Sequence, residues 1–182
     1  MSMTYCEYCK LPASKEVHVE YHNTAYGFPI HADNELFGRL ILEINQAGLS
    51  WEIILNKKKY FELAFDAFDI EKVANYGEVD FERLLNDASI IRNKLKINAA
   101  IYNARAIVQI QKEFGSFKSW LDVEHPKTKE EWVKIFKTRF KFVGGEIVNE
   151  FLMSTGYLPG AHEKSCPIFD TIKVANPKWM EV

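Results

Sequence analysis

The candidate metal ligands of this sequence lie at its two ends, on either side of a middle that is patterned for helices. Residues 1–33 and 155–182 contain all 3 cysteines and all but one of the 5 histidines. Both segments show little apolar periodicity, and such ends normally fray unless something holds them. These ligands constrain the fold more than any other feature, because a shared metal would bring the two ends together.

The middle of the chain predicts a series of helices with short connections. Apolar residues recur at helical spacing over 36–44 and again over 95–107. We therefore expect an all-α fold in which residues 1–182 form a single globular unit and 34–154 form its helical core. The predicted helix N-caps are Asp33, Ser50, Asp69, Ser116 and Thr128, the last of which forms a capping box with Glu131.

The composition indicates a globular protein outside the membrane. Apolar residues make up 47% of the chain and aromatic residues 14%, which is enough for a sizeable core. No apolar run reaches the length of a membrane span, and the first residues lack the apolar segment of a signal peptide. We expect a cytoplasmic protein whose cysteines are metal ligands or free thiols rather than disulfides.

The net charge of −2 conceals a basic middle segment. Residues 91–141 contain 12 Lys and Arg against 5 Asp and Glu, whereas residues 1–90 contain 8 against 15. One positive face of the protein can therefore meet a polyanion such as DNA. An ordinary solvated helix surface would give the same charge count.

The spacing of the candidate ligands leaves more than one metal site open. His18 and His22 are four residues apart, as are His162 and Cys166, which can place each pair on one side of a helical turn. Two thiolates and two imidazoles suit a closed tetrahedral zinc site, and a site with three cysteines and one histidine is also possible. Free thiols and surface histidines would need no metal. The full set of candidates is Cys6, Cys9, His18, His22, His31, His162 and Cys166.

Four stretches of sequence together resemble a known family. They are Glu20-Tyr-His-Asn-Thr-Ala-Tyr-Gly27, Glu43-Ile-Asn-Gln-Ala-Gly-Leu-Ser-Trp51, Asp87-Ala-Ser-Ile-Ile-Arg-Asn-Lys94 and Phe140-Lys-Phe-Val-Gly144. In this order, over residues 6–166, the chain resembles 3-methyladenine DNA glycosylase I, a branch of the helix-hairpin-helix glycosylases. The resemblance implies an all-helical monomer that excises 3-methyladenine from alkylated double-stranded DNA in base excision repair.

The resemblance also implies a structural zinc ion that joins the two terminal segments, 1–33 and 155–182. The family's ligands are an early cysteine, the histidine of a Tyr-His pair and a late His-x3-Cys. The matching residues are Cys6, His22, His162 and Cys166, which leaves Cys9 outside the site. A closed site has no position for an activated water, so the implied zinc fastens the ends and takes no part in the chemistry.

The resemblance further implies a pocket for a base that has been flipped out of the duplex. Glu43 matches the carboxylate that contacts the damaged base and is the implied catalytic residue. On their own, Glu43 is typical of a helix surface and Trp51 of a core. The implied substrate-binding residues are Tyr21, Trp51, Tyr26, Tyr8 and His18.

Two segments are implied to meet the DNA. Gly48 and Leu49 match the family's turn at the duplex, where Leu49 would fill the space left by the flipped base. The break near residues 88–92 matches the hairpin of a helix-hairpin-helix near 80–108, although a simple helix–helix turn would look the same. The expected phosphate contacts there are the backbone amides of the turn, at Ser89 and Ile90, and the nearby residues Arg92, Lys94 and Lys96.

The chain departs from the family pattern at several positions. Asn23 and Ala25 replace an acidic pair, Tyr26 replaces a tryptophan, His18 replaces an aromatic residue, and Ser89 replaces the hairpin glycine. We expect the changes at 23 and 25 to alter the polarity of the pocket. Two rival hypotheses follow: a glycosylase with a shifted damaged-base specificity, and a non-catalytic module that binds damaged DNA.

Overall fold

A computed structural model describes residues 3–181, and every regular element in that range is a helix. This confirms the predicted all-α fold. No helix in this range is both long and apolar enough to cross a lipid bilayer. The α-helices are α1 (Tyr5–Cys9), α2 (Glu16–Thr24), α3 (Asp33–Gln46), α4 (Trp51–Ala64), α5 (Ile70–Ala74), α6 (Glu78–Asn86), α7 (Lys94–Phe114), α8 (Phe117–Glu124), α9 (Lys129–Arg139), α10 (Gly145–Ser154) and α11 (Pro167–Val174), with 3₁₀ turns at Asp66–Phe68 and Lys178–Met180.

Four of the eleven α-helices begin at a residue that the sequence predicted as an N-cap: Ser50, Asp69, Ser116 and Thr128. The side chains of Asp69, Ser116 and Thr128 each accept a hydrogen bond from a backbone N–H in the following turn. Such bonds satisfy donors that have no partner inside the helix. Asn93 caps α7 in the same way without having been predicted, whereas Ser50 precedes α4 but makes no capping bond.

Asp33 caps a different helix from the one predicted. It is the first residue of α3, whose own N-cap is Ala32. Its carboxylate accepts hydrogen bonds from the backbone N–H groups of Phe117 and Lys118, at 2.7 and 3.0 Å. It also accepts a bond of 2.7 Å from the side chain of Gln111. Asp33 therefore fastens the start of α8 to the start of α3.

The two ends contain more helix than their weak periodicity predicted. Helices α1 and α2 lie in the first 33 residues, and α11 lies in the last part of the chain. The buried residues of α2 are His18, Tyr21 and His22, none of which is aliphatic. A pattern based on apolar spacing does not detect a helix whose buried side is made of histidine and tyrosine.

The core consists of one large cluster and one small cluster of buried apolar side chains. The large cluster contains residues of all the helices from α3 to α10. Many of them are aromatic, among them Trp120, Trp132 and Phe151, each at most 1% exposed. The small cluster consists of Tyr21, Tyr26 and Leu55 and lies between the N-terminal segment and α4. Apart from Ile30, which belongs to the large cluster, the described part of the N-terminal segment contributes only Tyr21 and Tyr26 to these buried apolar clusters.

Asp33→Ala should lower the free energy of unfolding by about 1–3 kcal/mol, because three hydrogen-bond donors lose their acceptor. Urea unfolding followed by circular dichroism measures the change. Glu35→Ala is the matched control, since Glu35 lies in the same first turn of α3 and is exposed. Equal destabilisation by the two substitutions would contradict the role given to Asp33.

Candidate functional site

The four ligands selected by the resemblance lie together in the structure. Cys6, His22, His162 and Cys166 are all buried, and their ligand atoms lie within 4.8 Å of one another. Cys9, the alternative third cysteine, lies outside the cluster, where its thiol faces the carbonyl of His18 at 3.8 Å. The structure thus brings residues from both ends of the described chain into one Cys2His2 cluster.

The distances inside the cluster fit a tetrahedral metal site. The four sulfur–nitrogen contacts are 3.4, 3.5, 3.6 and 3.6 Å. With zinc–sulfur and zinc–nitrogen bonds of about 2.3 and 2.0–2.1 Å, tetrahedral ligands are about 3.5–3.6 Å apart. Two thiols carry only two protons, so thiol hydrogen bonds can account for only two of the four contacts.

Hydrogen bonds orient both imidazoles toward the cluster. His22 donates its Nδ1 proton to the Asn23 side-chain oxygen at 2.7 Å, which leaves Nε2 facing the sulfurs. His162 donates its Nε2 proton to the Tyr26 carbonyl at 2.9 Å, which leaves Nδ1 facing them. Such partners fix the ring tautomer of metal-binding histidines.

Protonation of the cluster also depends on a cation. Burial lowers the pKa of His162, which favours the neutral ring that a metal needs. Burial raises the pKa of the Cys6 thiol to about 11, so a thiolate there requires a nearby positive charge.

A cleft of about 390 Å³ opens beside this cluster, between the N-terminal segment and helices α3, α4 and α10. Its volume is in the range of small-molecule sites. A depression of about 480 Å³ beside α7 is larger, but no buried polar side chain lines it. The cleft is lined by Tyr5, Tyr21, Tyr26, Glu43, Gln46, Trp51, Glu146 and Glu150.

Glu43 is the most unusual residue of the cleft. It is only 4% exposed, and its carboxylate makes no hydrogen bond to any residue within 3–181. Burial raises its pKa to about 8, although the positive charge of Arg39 acts to lower it and the negative charge of Glu150 raises it further. A buried acid without a partner destabilises the fold, and such groups are concentrated at functional sites.

Tyr21 and Trp51, two predicted substrate-binding residues, form an aromatic corner of the cleft. Their ring centroids are 5.2 Å apart in an edge-on arrangement. Arg39 donates hydrogen bonds of 3.1 Å to the Tyr21 hydroxyl and to the Ser154 carbonyl. Arg39 is 8% exposed and was not predicted as a site residue, although it lies one turn before Glu43 on α3.

Tyr26 links the Cys2His2 cluster to the cleft. Its carbonyl accepts the bond from His162, while its hydroxyl donates a bond of 3.2 Å to Glu150. Gly27 follows with a φ of +82°, and a Cβ there would lie 2.8 Å from the Cβ of Ala161. Only glycine allows this close approach of the two terminal segments.

Tyr8 and His18, also predicted to bind substrate, do not line the cleft. They pack behind Tyr5, which does line it: Tyr8 stacks on the Tyr5 ring, and His18 Nδ1 is 2.9 Å from the Tyr5 hydroxyl. The sequence reasoning missed Tyr5, Gln46, Glu146 and Glu150. Tyr5 and Gln46 had a local signal, since Tyr5 adjoins a predicted ligand and Gln46 lies in the quoted stretch from Glu43 to Trp51.

Asn23 and Ala25 do not line the cleft, contrary to the expectation that they alter its polarity. Asn23 lies on the side of the Cys2His2 cluster, bonded to His22. Ala25 packs against the small aromatic cluster. The change from the family pattern at 23 therefore replaces a carboxylate beside a ligand, not a group in the pocket.

The turn between α3 and α4 holds the predicted DNA residues Gly48 and Leu49. Gly48 is exposed with a φ of +81°, and Leu49 is half-buried against the core. The flanking residues Gln46 and Trp51 both line the cleft, so this turn lies near it.

In the turn between α6 and α7, only some of the predicted phosphate contacts are exposed. Arg92 and Lys94 are exposed, as a DNA contact requires. The Ile90 side chain is 3% exposed and lies in the core, and its backbone N–H donates to the Asp87 carbonyl at 3.4 Å. The Ser89 N–H and hydroxyl both bond to the Asp87 carboxylate, at 2.8 and 2.5 Å.

Lys96 is not a phosphate contact. It is 5% exposed, and its ammonium group donates hydrogen bonds of 2.8 and 2.7 Å to the carbonyls of Asn45 and Ala47. It satisfies carbonyls at the end of α3 that have no partner inside the helix. Lys96 thereby ties α7 to the turn that contains Gly48.

Comparison with known proteins agrees with this arrangement. The model of the methyladenine glycosylase family matches residues 11–138. DNA-3-methyladenine glycosylase 1 of Escherichia coli is 34% identical over 179 residues, covering 88% of this chain and 95% of the relative. DNA-3-methyladenine glycosylase of Haemophilus influenzae is 28% identical, covering 87% and 96%.

Solved structures agree as well. A variant of 3-methyladenine DNA glycosylase I in complex with 3-methyladenine superposes with a TM-score of 0.80 at 31% identity, covering 88% of this chain and 96% of that one. The Staphylococcus aureus enzyme gives 0.80 at 30% identity, covering 91% and 97%. These structures share the all-helical fold of this chain. The chain belongs to the methyladenine glycosylase family, as the sequence motifs predicted.

Glu43→Gln should stabilise the fold at pH 8 more than at pH 5. Because the folded pKa of Glu43 is about 8 and the unfolded value is about 4.3, the stability of the wild type is fully present below pH 4.3 and falls as the pH rises toward 8. Gln removes this loss, so the variant should gain about 3–4 kcal/mol relative to wild type between pH 5 and pH 8.

Urea unfolding at the two pH values measures this difference. Glu35→Gln, an exposed substitution on the same helix, is the control and should show no such change. A gain that is equal at pH 5 and pH 8 would contradict the buried, proton-binding state of Glu43.

Proposed function

We propose that this protein is a monofunctional DNA glycosylase that hydrolyses the N-glycosidic bond of 3-methyladenine in alkylated double-stranded DNA. The observation that carries the proposal is the buried carboxylate of Glu43, which lacks a hydrogen-bond partner and lines a cleft with aromatic walls. The relatives are named for this activity, and one similar structure is a complex with 3-methyladenine.

The chemistry of the base fits the cleft. Methylation at N3 makes the adenine of the nucleotide cationic, and its exocyclic amine is a hydrogen-bond donor. The Glu43 carboxylate can complement the charge and accept from the amine, while Tyr21, Tyr26 and Trp51 offer aromatic faces for the flipped base. A neutral, undamaged adenine would gain much less from the same carboxylate.

Cleavage then needs little from the protein beyond binding. The electron pair of the glycosidic bond moves to the cationic base, which leaves as a neutral molecule. Water adds to the sugar cation and loses a proton. Glu43 would act by recognition and electrostatic stabilisation rather than as a general base. No lysine from residues 3–181 lines the cleft, which supports hydrolysis without a Schiff base.

The surface beside the cleft suggests how DNA is held. The Gly48-Leu49 turn lies between two cleft residues, so Leu49 is placed to enter the duplex when a base is flipped. Arg92 and Lys94 are exposed beside the turn between α6 and α7, and we propose that they bind phosphates as part of a helix-hairpin-helix near 80–108. The protein would act as a monomer.

We also propose that the Cys2His2 cluster binds one structural zinc ion. Its supports are the tetrahedral sulfur–nitrogen distances, the burial of all four ligands and the fixed orientation of both imidazoles. The metal would join segments 1–33 and 155–182 around the helical core 34–154. These parts would then behave as a single globular unit, and all four ligand positions would be filled by protein.

Glu43→Gln should reduce the release of 3-methyladenine from methylated DNA by roughly 100-fold, because the cationic base loses its charged partner. Chromatography of the released base measures the rate, and Glu35→Gln should match the wild type. Full activity of Glu43→Gln would contradict the role of this residue. A wild-type protein that binds damaged DNA but releases no base would instead favour a non-catalytic module.

Cys6→Ser and Cys166→Ser should each abolish binding of the zinc ion, which elemental analysis of the purified protein measures. Each should lower the melting temperature by roughly 10 °C, the change produced by about 3 kcal/mol in a chain of this size. Cys9→Ser is the matched control, since Cys9 lies outside the cluster. Zinc retained by both ligand variants would exclude the proposed site.

A further inference from the structure

The cleft contains a second carboxylate whose position neither the motifs nor the resemblance predicted. Glu150 lies on α10, whereas Glu43 lies on α3, and the two side chains line the same cleft from different helices. Glu150 is half-buried, and the Tyr26 hydroxyl donates a hydrogen bond of 3.2 Å to its Oε2.

The charge of Glu150 is not neutralised by a direct partner. Within the described part of the chain it forms no ion pair, whereas its neighbour Glu146 pairs with Lys129 at 2.9 Å. Burial raises the pKa of Glu150, and its negative charge acts on Glu43 in turn. The buried cation nearby, Arg39, donates to the Tyr21 hydroxyl and the Ser154 carbonyl instead.

Two acids that line one cleft, one buried and one half-buried, and that form no ion pair with the described residues are costly to ionise together in the free protein. A ligand that carries a positive charge would therefore bind favourably in this cleft. A base with a delocalised positive charge would attract both carboxylates in their ionised state. A neutral base would not.

Resting on the proposed function, we propose that Glu150 is a specificity-determining residue that, together with Glu43, selects a cationic purine for the cleft. The class of ligand is a purine made cationic by alkylation of a ring nitrogen while it is still attached to the sugar. Tyr26 is the positioning residue, because its hydroxyl holds one carboxylate oxygen of Glu150 against the cleft wall.

The charge of the base changes during the reaction in a way that suits this role. The base enters as a cation, takes the electron pair of the glycosidic bond and leaves neutral. Two carboxylates thus favour the damaged base over undamaged bases, and they favour the bound substrate over the released base. A single carboxylate would produce both of these preferences more weakly.

Binding of two small purines to the full-length protein tests the proposal without any reaction. The 3,9-dimethyladeninium ion is permanently cationic, and 9-methyladenine is its neutral counterpart. Glu150→Gln should weaken binding of the cation about tenfold and leave binding of the neutral purine within about twofold. Gln has the shape of Glu and can still accept the Tyr26 bond, and the melting temperature checks its fold.

Matched variants sharpen this test. Glu130→Gln, an exposed acid on α9, should bind both purines like the wild type. Tyr26→Phe removes the hydroxyl that holds Glu150 and should weaken cation binding about threefold. Unchanged affinity of Glu150→Gln for the cation, or equal weakening for both purines, would overturn the proposal.

Release of 3-methyladenine from methylated DNA separates this inference from the proposed function. A wild-type protein that prefers the cation through Glu150 but releases no base would refute the glycosylase activity and leave the selectivity intact. An active wild type whose Glu150→Gln variant keeps both its rate and its cation affinity would refute the role of Glu150 alone. A variant that loses its rate but keeps its cation affinity would assign Glu150 to the sugar or the water instead.

Discussion

The contact between the two ends of the chain is the constraint on which the cleft depends. Residues of the Cys2His2 cluster hold the N-terminal segment in place: His22 adjoins Tyr21, and His162 bonds to the carbonyl of Tyr26. Apolar packing attaches this segment through a small cluster that includes Leu55 and through Ile30, which belongs to the large cluster. A metal bond would supply there the stability that a small apolar cluster cannot, so the cluster would shape the cleft without touching the ligand.

The sequence predicted helix starts correctly where neighbouring residues alone determine them. The caps at Asp69, Ser116 and Thr128 were correct because a cap acts on the residues that follow it directly. Asp33 was assigned to the wrong helix because its true partners begin at Gln111, far along the chain. Helix α2 was missed because histidine and tyrosine replace aliphatic residues on its buried face.

The cleft was predictable only where the family motifs reach it. Glu43 and Tyr21 lie inside those motifs, and the structure places both in the cleft. Glu150 was not found, since its role arises only when α10 meets α3 and Tyr26 in space. Lys96 was wrongly predicted to bind phosphate because lysine is usually exposed. Here it is buried, and its ammonium group bonds to two carbonyls. Exposure is a property of the folded chain that no short motif specifies.

In the free cleft the carboxyl groups of Glu43 and Glu150 form no ion pair with any described residue, and this is the basis of the selectivity proposed for the cleft. The large core has satisfied nearly all its polar groups; Trp132 Nε1 is the one fully buried side-chain polar atom within 3–181 that lacks a partner. The cleft instead keeps Glu43 buried and unpaired, with Glu150 close enough to raise its pKa. Arg39, the buried cation nearby, hydrogen-bonds to Tyr21 and Ser154 and forms no ion pair with either acid. The damaged base therefore supplies the positive charge that favours both carboxylates in their ionised state, and a base without that charge does not.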